Sequence, residues 1–328
     1  MKAGANKIVV LGAAESGVGA AVLAKQKGFD VFVSDKGKIK DKYKEILVSH
    51  DIAWEEEKHT EKKILDAVEI IKSPGVPEKA ELVVKLRSKK IPVISEIEFA
   101  ARYTDAKKIC ITGSNGKTTT TMLTYHILKK AGLNVGLGGN VGKSFAMQVA
   151  ENKFDYYVLE LSSFQLDDMY DFKADVAILL NITPDHMDSY DYKMQNYTNS
   201  KFRVIQNMKK QDAFIYCADD KIIAGEVRKR KIKAQQYPFS IKKKVEKGAY
   251  LESNQLTINI NPNPLSMSIQ ELALQGKHNI YNSMAAAIAA KVVDIRKEII
   301  RDSLSDFQNV EHRLEYIARV HGIDFIND

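Results

Sequence analysis

The chain has 328 residues, more than one hydrophobic core usually serves, so at least two domains are expected. With 45% hydrophobic and 28% charged residues and no apolar run near about 18 residues, it reads as a soluble cytoplasmic protein without membrane insertion. Cys110 and Cys217 lie inside apolar runs, which argues against a disulfide-built secreted fold. The net charge of +7 lacks the aromatic interleaving of a nucleic-acid surface.

The first 95 residues alternate strand and helix. Residues 7–11 read as a strand, 17–27 as a helix and 30–34 as a second strand that ends on Asp35. Gly12, Gly17 and Gly19 occupy the first turn without spelling G-x-G-x-x-G, because Ala14 replaces the middle glycine and Glu15 intrudes. What remains is a helix N-terminus at Ser16-Gly17 suited to a diphosphate, and a carboxylate placed for a ribose or a base. Helices are expected at 42–48, 61–67 and 80–89, and strands at 53–56, 69–72 and 92–95. Ser73-Pro74-Gly75 follows a strand at the edge where open parallel sheets bind ligands. A connecting helix at 96–103 marks a domain boundary.

The stretch Ile109-Cys-Ile-Thr-Gly-Ser-Asn-Gly-Lys-Thr-Thr119 then gives a short apolar strand, a glycine turn and a helix from residue 120 to about 131. Gly113 and Gly116 let backbone N–H groups wrap a polyphosphate, Lys117 adds a point charge, and Thr118 offers a hydroxyl to Mg²⁺. Only Gly116-Lys117-Thr118 is orthodox, since Ile111 stands where the first glycine of such a motif belongs. Gly136-Leu-Gly-Gly-Asn140 reads as a glycine-rich loop after a short strand. Strands at 156–161 and 176–180 lead to Glu160 and, after a loop, to His186. A carboxylate at a strand tip is a natural Mg²⁺ ligand, whereas His186 between Asp185 and Asp188 is either a ligand or a polar loop residue. Lys201, on a helix at 197–208, reads by itself as a surface residue. A strand at 212–217 follows. From 235 to 274, short β-like runs broken by Asn, Pro and Ser point to an antiparallel addition to a parallel sheet. Helices at 279–293 and 297–307 and a strand pair over 314–326 close the chain.

The fold class expected is therefore α/β. A Rossmann-like parallel-sheet domain occupies 1–95, and a P-loop-type ATPase domain with an added antiparallel β segment occupies 96–309. Residues 310–328 add a strand pair.

Six motifs occur in order: Thr112-Gly-Ser-Asn-Gly-Lys-Thr-Thr119, Gly138-Gly-Asn140, Glu160-Leu-Ser-Ser-Phe-Gln-Leu166, Asn181-Ile-Thr-Pro-Asp-His-Met-Asp188, Gly276-Lys-His-Asn-Ile-Tyr-Asn282 and Glu311-His-Arg313. Together they resemble the Mur ligases, ATP-dependent amide-forming enzymes of peptidoglycan synthesis. The third motif, with Asp185-His-Met-Asp188, is similar to the members that add D-glutamate to UDP-N-acetylmuramoyl-L-alanine. The resemblance implies that Gly113, Ser114, Asn115, Gly116, Lys117, Thr118 and Thr119 surround the ATP phosphates. It also implies two Mg²⁺ ions, one on Thr118 and Glu160, the other on His186 and a carbamylated Lys201. Lys117, Glu160, His186 and Lys201 are then the catalytic group. Asn279, Asn282 and Arg313 would address the adenine nucleotide, and Asp328 its ribose. Ser16, Gly17, Asp35, Lys36, Ser73, Pro74 and Gly75 would hold the uridine diphosphate, with Asn140, Ser162 and Gln165 along the muramoyl part.

A monomer is expected. The family also carries a C-terminal α/β domain that contacts D-glutamate, whereas this chain stops at Asp328. The resemblance implies that residues 310–328 are the beginning of that domain, otherwise absent from the sequence. The polypeptide is thus expected to bind the uridine substrate and to turn over poorly or not at all. Two other readings stay open. A folylpoly-γ-glutamate synthase resembles the same central domain but starts directly with it. A nucleotide-binding regulator without catalysis rests on the amino-terminal turn.

Overall fold

A computed structural model describes residues 6–260 and 263–308 in full, and the backbone of Glu315–Val320 and Ile323–Asn327. The elements begin with β1 (Lys7–Leu11), α1 (Glu15–Gln26), β2 (Asp30–Ser34), α2 (Asp41–Ser49), β3 (Ala53–Glu55), α3 (Glu61–Ile64), β4 (Glu69–Lys72), α4 (Glu81–Ser88), β5 (Val93–Ser95) and α5 (Glu96–Ala101). Next come β6 (Lys107–Thr112), α6 (Lys117–Lys130), β7 (Val135–Gly139), α7 (Phe145–Glu151), β8 (Tyr156–Glu160), α8 (Ser163–Asp167), β9 (Val176–Leu179) and α9 (Met194–Phe202). The chain continues with β10 (Ala213–Cys217), α10 (Lys221–Lys229), β11 (Gln235–Ser240), β12 (Gly248–Glu252), β13 (Gln255–Asn259) and β14 (Leu265–Ser268). It ends with α11 (Lys277–Val292), α12 (Lys297–Asp306), β15 (Glu315–Val320) and β16 (Ile323–Asn327). Contacts divide it into two compact units. One comprises Met1–Thr112, Asn134–Ala177 and Thr183–Asp212, the other Gly113–Leu133, Ile178–Ile182 and Ala213–Asp328.

The first unit holds a five-stranded parallel sheet in the order β3-β2-β1-β4-β5. Its strands are apolar runs covered on both faces: Val9, Val10, Leu11, Val33, Ile70 and Ile71 are fully buried. Each such side chain contributes about 1.5–3 kcal/mol. The strand order reverses at β1, whose neighbours are β2 and β4, so the crevice outside their C-terminal ends is the favoured ligand position. The same unit carries β6, β8 and β7, parallel and in that order.

Helix α5 joins the two parts of this unit through buried carboxylates. Glu98 accepts the backbone N–H groups of Tyr170, Asp171 and Phe172 at 3.0, 3.1 and 2.9 Å. Glu96 accepts the Ser144 hydroxyl and the Ala146 N–H at 2.7 and 2.6 Å.

The second unit has β14-β13-β12-β11-β10 in that order. β12, β13 and β14 pair antiparallel, as expected, but β11 is parallel to β10 and β12. Helix α10 supplies the crossover that a parallel partner of β10 requires. Helix α11 can be buried nearly all round because Ala285, Ala286, Ala287, Ala289 and Ala290 present so little bulk. β15 and β16 form the expected antiparallel pair.

Several expected boundaries are corrected. α3 stops at Ile64, and α6 starts at Lys117 rather than 120. α9 starts at Met194 and ends at Phe202. Gly136–Gly139 is strand β7, not a loop. Its glycines answer to close packing: a Cβ at Gly139 would stand 2.2 Å from the Glu160 carbonyl oxygen, and one at Gly136 would meet Phe154 and Tyr157 at 2.7 Å. Cys110 and Cys217 are buried free thiols. Among the described residues no helix is long and apolar enough to cross a membrane.

Candidate active site

Beyond the ends of β1, β2 and β4 lies a cleft of about 1000 Å³. Ser16, Asp35, Lys36, Ser73, Pro74 and Gly75 line it, six of the seven residues expected around a uridine diphosphate. Gly17, the seventh, is buried and does not line the cleft. A Cβ there would stand 1.8 Å from the Gly12 carbonyl oxygen, so Gly17 lets α1 close onto the turn. Asp35 ties two turns together, Oδ2 accepting the Ala13 N–H at 2.6 Å and Oδ1 the Gly37 N–H at 2.7 Å. A carboxylate offers roughly four lone-pair sites, so acceptor capacity remains for a ligand hydroxyl. Lys58 and Lys79 also line the cleft and add positive charge suited to phosphate.

In the same unit β6 and β8 run side by side, with Ile111 opposite Glu160. Glu160 is 1% exposed. Asn140 Nδ2 donates to its Oε1 at 2.8 Å, and Oε2 has no hydrogen-bond partner among the described residues. Asn140, expected along a sugar, thus orients this carboxylate. A buried carboxylate oxygen left without a donor is costly, and a hard cation is the partner its chemistry suits.

Lys201 is 2% exposed, against the surface reading of the isolated residue. Its Nζ donates to Thr112 Oγ1 at 3.3 Å and lies 5.2 Å from the Tyr197 ring centre. The Thr112 hydroxyl donates in turn to the Leu161 carbonyl oxygen at 2.8 Å, and in the chain Thr112 immediately precedes Gly113. His186 takes a left-handed conformation, φ 49°. Its half-exposed ring lies 5.1 Å from that of Phe164, with Nε2 3.6 Å from Asp185 Oδ2. Ser162 and Gln165 form a capping box at the start of α8, directly after Glu160-Leu161. The Ser162 N–H donates to Gln165 Oε1 at 2.9 Å and the Gln165 N–H to Ser162 Oγ at 3.2 Å. Among the described residues no three His, Cys, Asp or Glu side chains form a ready-made metal cluster.

The second unit holds the glycine loop. Gly116, at φ +80°, caps α6, so the helix begins at Lys117 with Thr118 and Thr119 in its first turn. Asn181 clasps the loop: its carbonyl oxygen accepts the Ser114 N–H at 3.0 Å and its Oδ1 the Asn115 N–H at 2.8 Å. Its Nδ2 donates to the Asn115 carbonyl oxygen at 2.9 Å. The sequence by itself assigns Asn181 no role; an amide directly after an apolar strand is the available signal. Asn282 arrives from 162 residues beyond Thr120, whose hydroxyl it accepts at 3.2 Å. Its Nδ2 donates to Asn279 Oδ1 at 3.2 Å. A Cβ at Gly116 would stand 2.5 Å from Asn282 Oδ1, so the glycine makes room for the asparagine. Lys117 Nζ donates to the carbonyl oxygens of Gly113 and Ser114 at 3.0 and 2.8 Å. The structure therefore brings Asn279 and Asn282 to the loop, while Arg313 and Asp328 lie outside the described residues.

Asn181→Ala removes two of the clasp's bonds and is expected to weaken ATP binding about tenfold, with uridine diphosphate binding unchanged. Calorimetry with both nucleotides checks this, and an unaltered ATP affinity would show the clasp to be idle.

Residues 111–290 match the Mur ligase middle domain, and residues 7–82 the MurD N-terminal domain. The chain is 63% identical to the UDP-N-acetylmuramoylalanine--D-glutamate ligase of Bacteroides fragilis over 323 residues, which are 98% of this chain and 72% of that protein. It is 56% identical to the enzyme of the same name from Porphyromonas gingivalis over 324 residues, again 98% of this chain and 72% of that protein. Among solved structures, the UDP-N-acetylmuramate:L-alanyl-gamma-D-glutamyl-meso-diaminopimelate ligase of Neisseria meningitides superposes with a TM-score of 0.66 over 93% of this chain and 99% of that one. At 19% identity that likeness speaks for the fold alone. On the matched domains and the identities to these relatives, the chain belongs to the Mur ligase family, among its UDP-N-acetylmuramoylalanine--D-glutamate ligases.

Proposed function

We propose that the protein is an ATP-dependent amide ligase of peptidoglycan precursor synthesis, joining D-glutamate to UDP-N-acetylmuramoyl-L-alanine. The observation that carries this reading is 63% identity, over 98% of the chain, to a relative named for that activity. Residues 1–95 would hold the uridine substrate and 96–309 would bind ATP, in a monomeric cytoplasmic protein that needs no nucleic acid. A uridine diphosphate in the first cleft also explains why its turn departs from the dinucleotide pattern at Ala14.

In this reaction the γ-phosphoryl group of ATP passes to the L-alanyl carboxylate. The amine of D-glutamate attacks the acyl phosphate, and phosphate leaves from a tetrahedral intermediate. The N–H groups of the Gly113–Thr119 loop wrap the polyphosphate, and Lys117 neutralises phosphate oxygens that would repel the incoming carboxylate. Two Mg²⁺ ions, one held by Thr118 and Glu160 and one by His186 and a carbamylated Lys201, would supply charge neutralisation for the same oxygens. The Oε2 of Glu160, buried and without a hydrogen-bond partner among the described residues, supports a cation at that carboxylate. The burial of Lys201 supports its conversion to a carbamate, which exchanges a desolvated ammonium for an anionic oxygen ligand.

Phosphate release by the full-length protein is expected to require UDP-N-acetylmuramoyl-L-alanine, D-glutamate and ATP together. Release with a folate in place of the uridine substrate would favour the folylpolyglutamate reading, and no release under any condition the regulator. Glu160→Gln is expected to weaken Mg²⁺-dependent ATP binding about tenfold and leave uridine nucleotide binding intact. Equal Mg²⁺ dependence in mutant and parent would remove Glu160 from the metal site.

A further inference from the structure

One side chain in the first cleft, outside every residue assigned above, sits in a hydrogen-bond chain that determines its protonation. Glu55 closes β3 and is buried. Its Oε1 accepts the Thr60 N–H at 2.7 Å and its Oε2 the Thr60 hydroxyl at 2.6 Å. Burial works to raise its pKa, but the bonds from Thr60 and Ser34 and the charge of Lys63 hold the carboxyl below the usual range. It is therefore an ionised group that can only accept.

Ser34 Oγ, fully buried at the end of β2, lies 2.8 Å from Glu55 Oε1, 3.4 Å from the Lys58 carbonyl oxygen and 2.7 Å from His59 Nδ1. The first two neighbours are acceptors, and a hydroxyl has one proton to give. Ser34 must therefore accept from His59, which places the imidazole hydrogen on Nδ1. Burial and the charge of Lys36 push the His59 pKa down against the opposing charges of Asp35 and Glu55. The ring is thus neutral at physiological pH, and its Nε2 is a lone-pair acceptor.

His59 lines the cleft together with Asp35 and Lys36 on the β2–β3 side. On the β4 side, Pro74 and Gly75 also line a second cavity, of about 620 Å³, shared with Phe164 and Asp188. Phe164 is the residue against which His186 packs, so the sugar end of a bound substrate belongs on that side and the base on the other.

We propose that His59 reads the nucleobase, its Nε2 accepting the N3–H of uracil and rejecting cytosine, whose N3 carries a lone pair instead. This rests on the uridine-substrate reading given above. Two acceptors facing each other cannot pair, and a site built to bond a donor discriminates strongly against a base lacking it.

The test is calorimetric titration of the full-length protein with UDP and with CDP. The wild type is expected to prefer UDP by about tenfold or more. His59→Leu should lower UDP affinity about tenfold, leave CDP affinity within about twofold, and so collapse the ratio. His59→Gln, whose amide can donate as well as accept, should gain CDP affinity and serves as the folding control. A UDP-to-CDP ratio unchanged in both variants, or equal binding of the two by the wild type, overturns the proposal while leaving the uridine site in place. Binding of neither nucleotide by the wild type overturns the uridine reading and this proposal with it.

Discussion

Lys201→Ala is expected to lower the rate of D-glutamate addition by the full-length protein by about 10³-fold, with no recovery in added bicarbonate. The lysine is 2% exposed and its Nζ reaches Thr112 Oγ1, so it is neither a solvated charge nor a remote one. As an ammonium it would compete with a cation for the same site. As a carbamate it would supply an oxygen ligand, and alanine can form no carbamate. The parent should take up carbon dioxide at this residue in bicarbonate buffer, visible by intact mass, and the variant should not. A purely structural role would show instead as lost uridine nucleotide binding and a lowered melting temperature at an unchanged rate per folded molecule. Normal rates in Lys201→Ala would end the carbamate assignment.

The second large effect is on stability and depends on pH. Glu96 is buried, with Oε1 accepting from Ser144 and Ala146 and Oε2 without a hydrogen-bond partner among the described residues. Burial pushes its carboxyl from 4.5 up to about 7, helped by the nearby charge of Glu15 and opposed by the bonds from Ala146 and Ser144. Between those two values the folded chain holds a proton that the unfolded chain has released. Stability from this group is therefore complete below about pH 4.5, declines as pH rises, and is gone above about pH 7. At about 1.4 kcal/mol per pH unit, the gap corresponds to about 3 kcal/mol. Glu96→Gln cannot titrate, so its stability should vary less between pH 5 and pH 8 than that of the parent by about this amount. Denaturant melts at the two pH values measure it, and the same pH dependence in parent and Glu96→Gln would place the titration elsewhere. The consequence reaches the site through position, because Ser144 and Ala146 follow the β7–Asn140 segment that orients Glu160.

Much of the architecture was legible because it is local. The apolar runs of β1, β2, β4, β6 and β8 bury both faces, and their length and punctuation are written within a few residues. The glycine loop before α6 and the carboxylate ending β2 needed no distant partner to be found. What tertiary structure alone decided is where unlike parts of the chain arrive. Gly116 is glycine because Asn282 comes within 2.5 Å of where a Cβ would be, and the glycines of β7 are small because of neighbouring strands and rings rather than a loop. Lys201 looks like a surface lysine until α9 carries it against Thr112 and Tyr197. The tautomer of His59 is set through Ser34 by a carboxylate on the next strand. Local spacing determines which elements form and which residue types stand at their ends. Burial, protonation and the choice between a role in packing and a role in chemistry depend on neighbours that only the folded chain brings together.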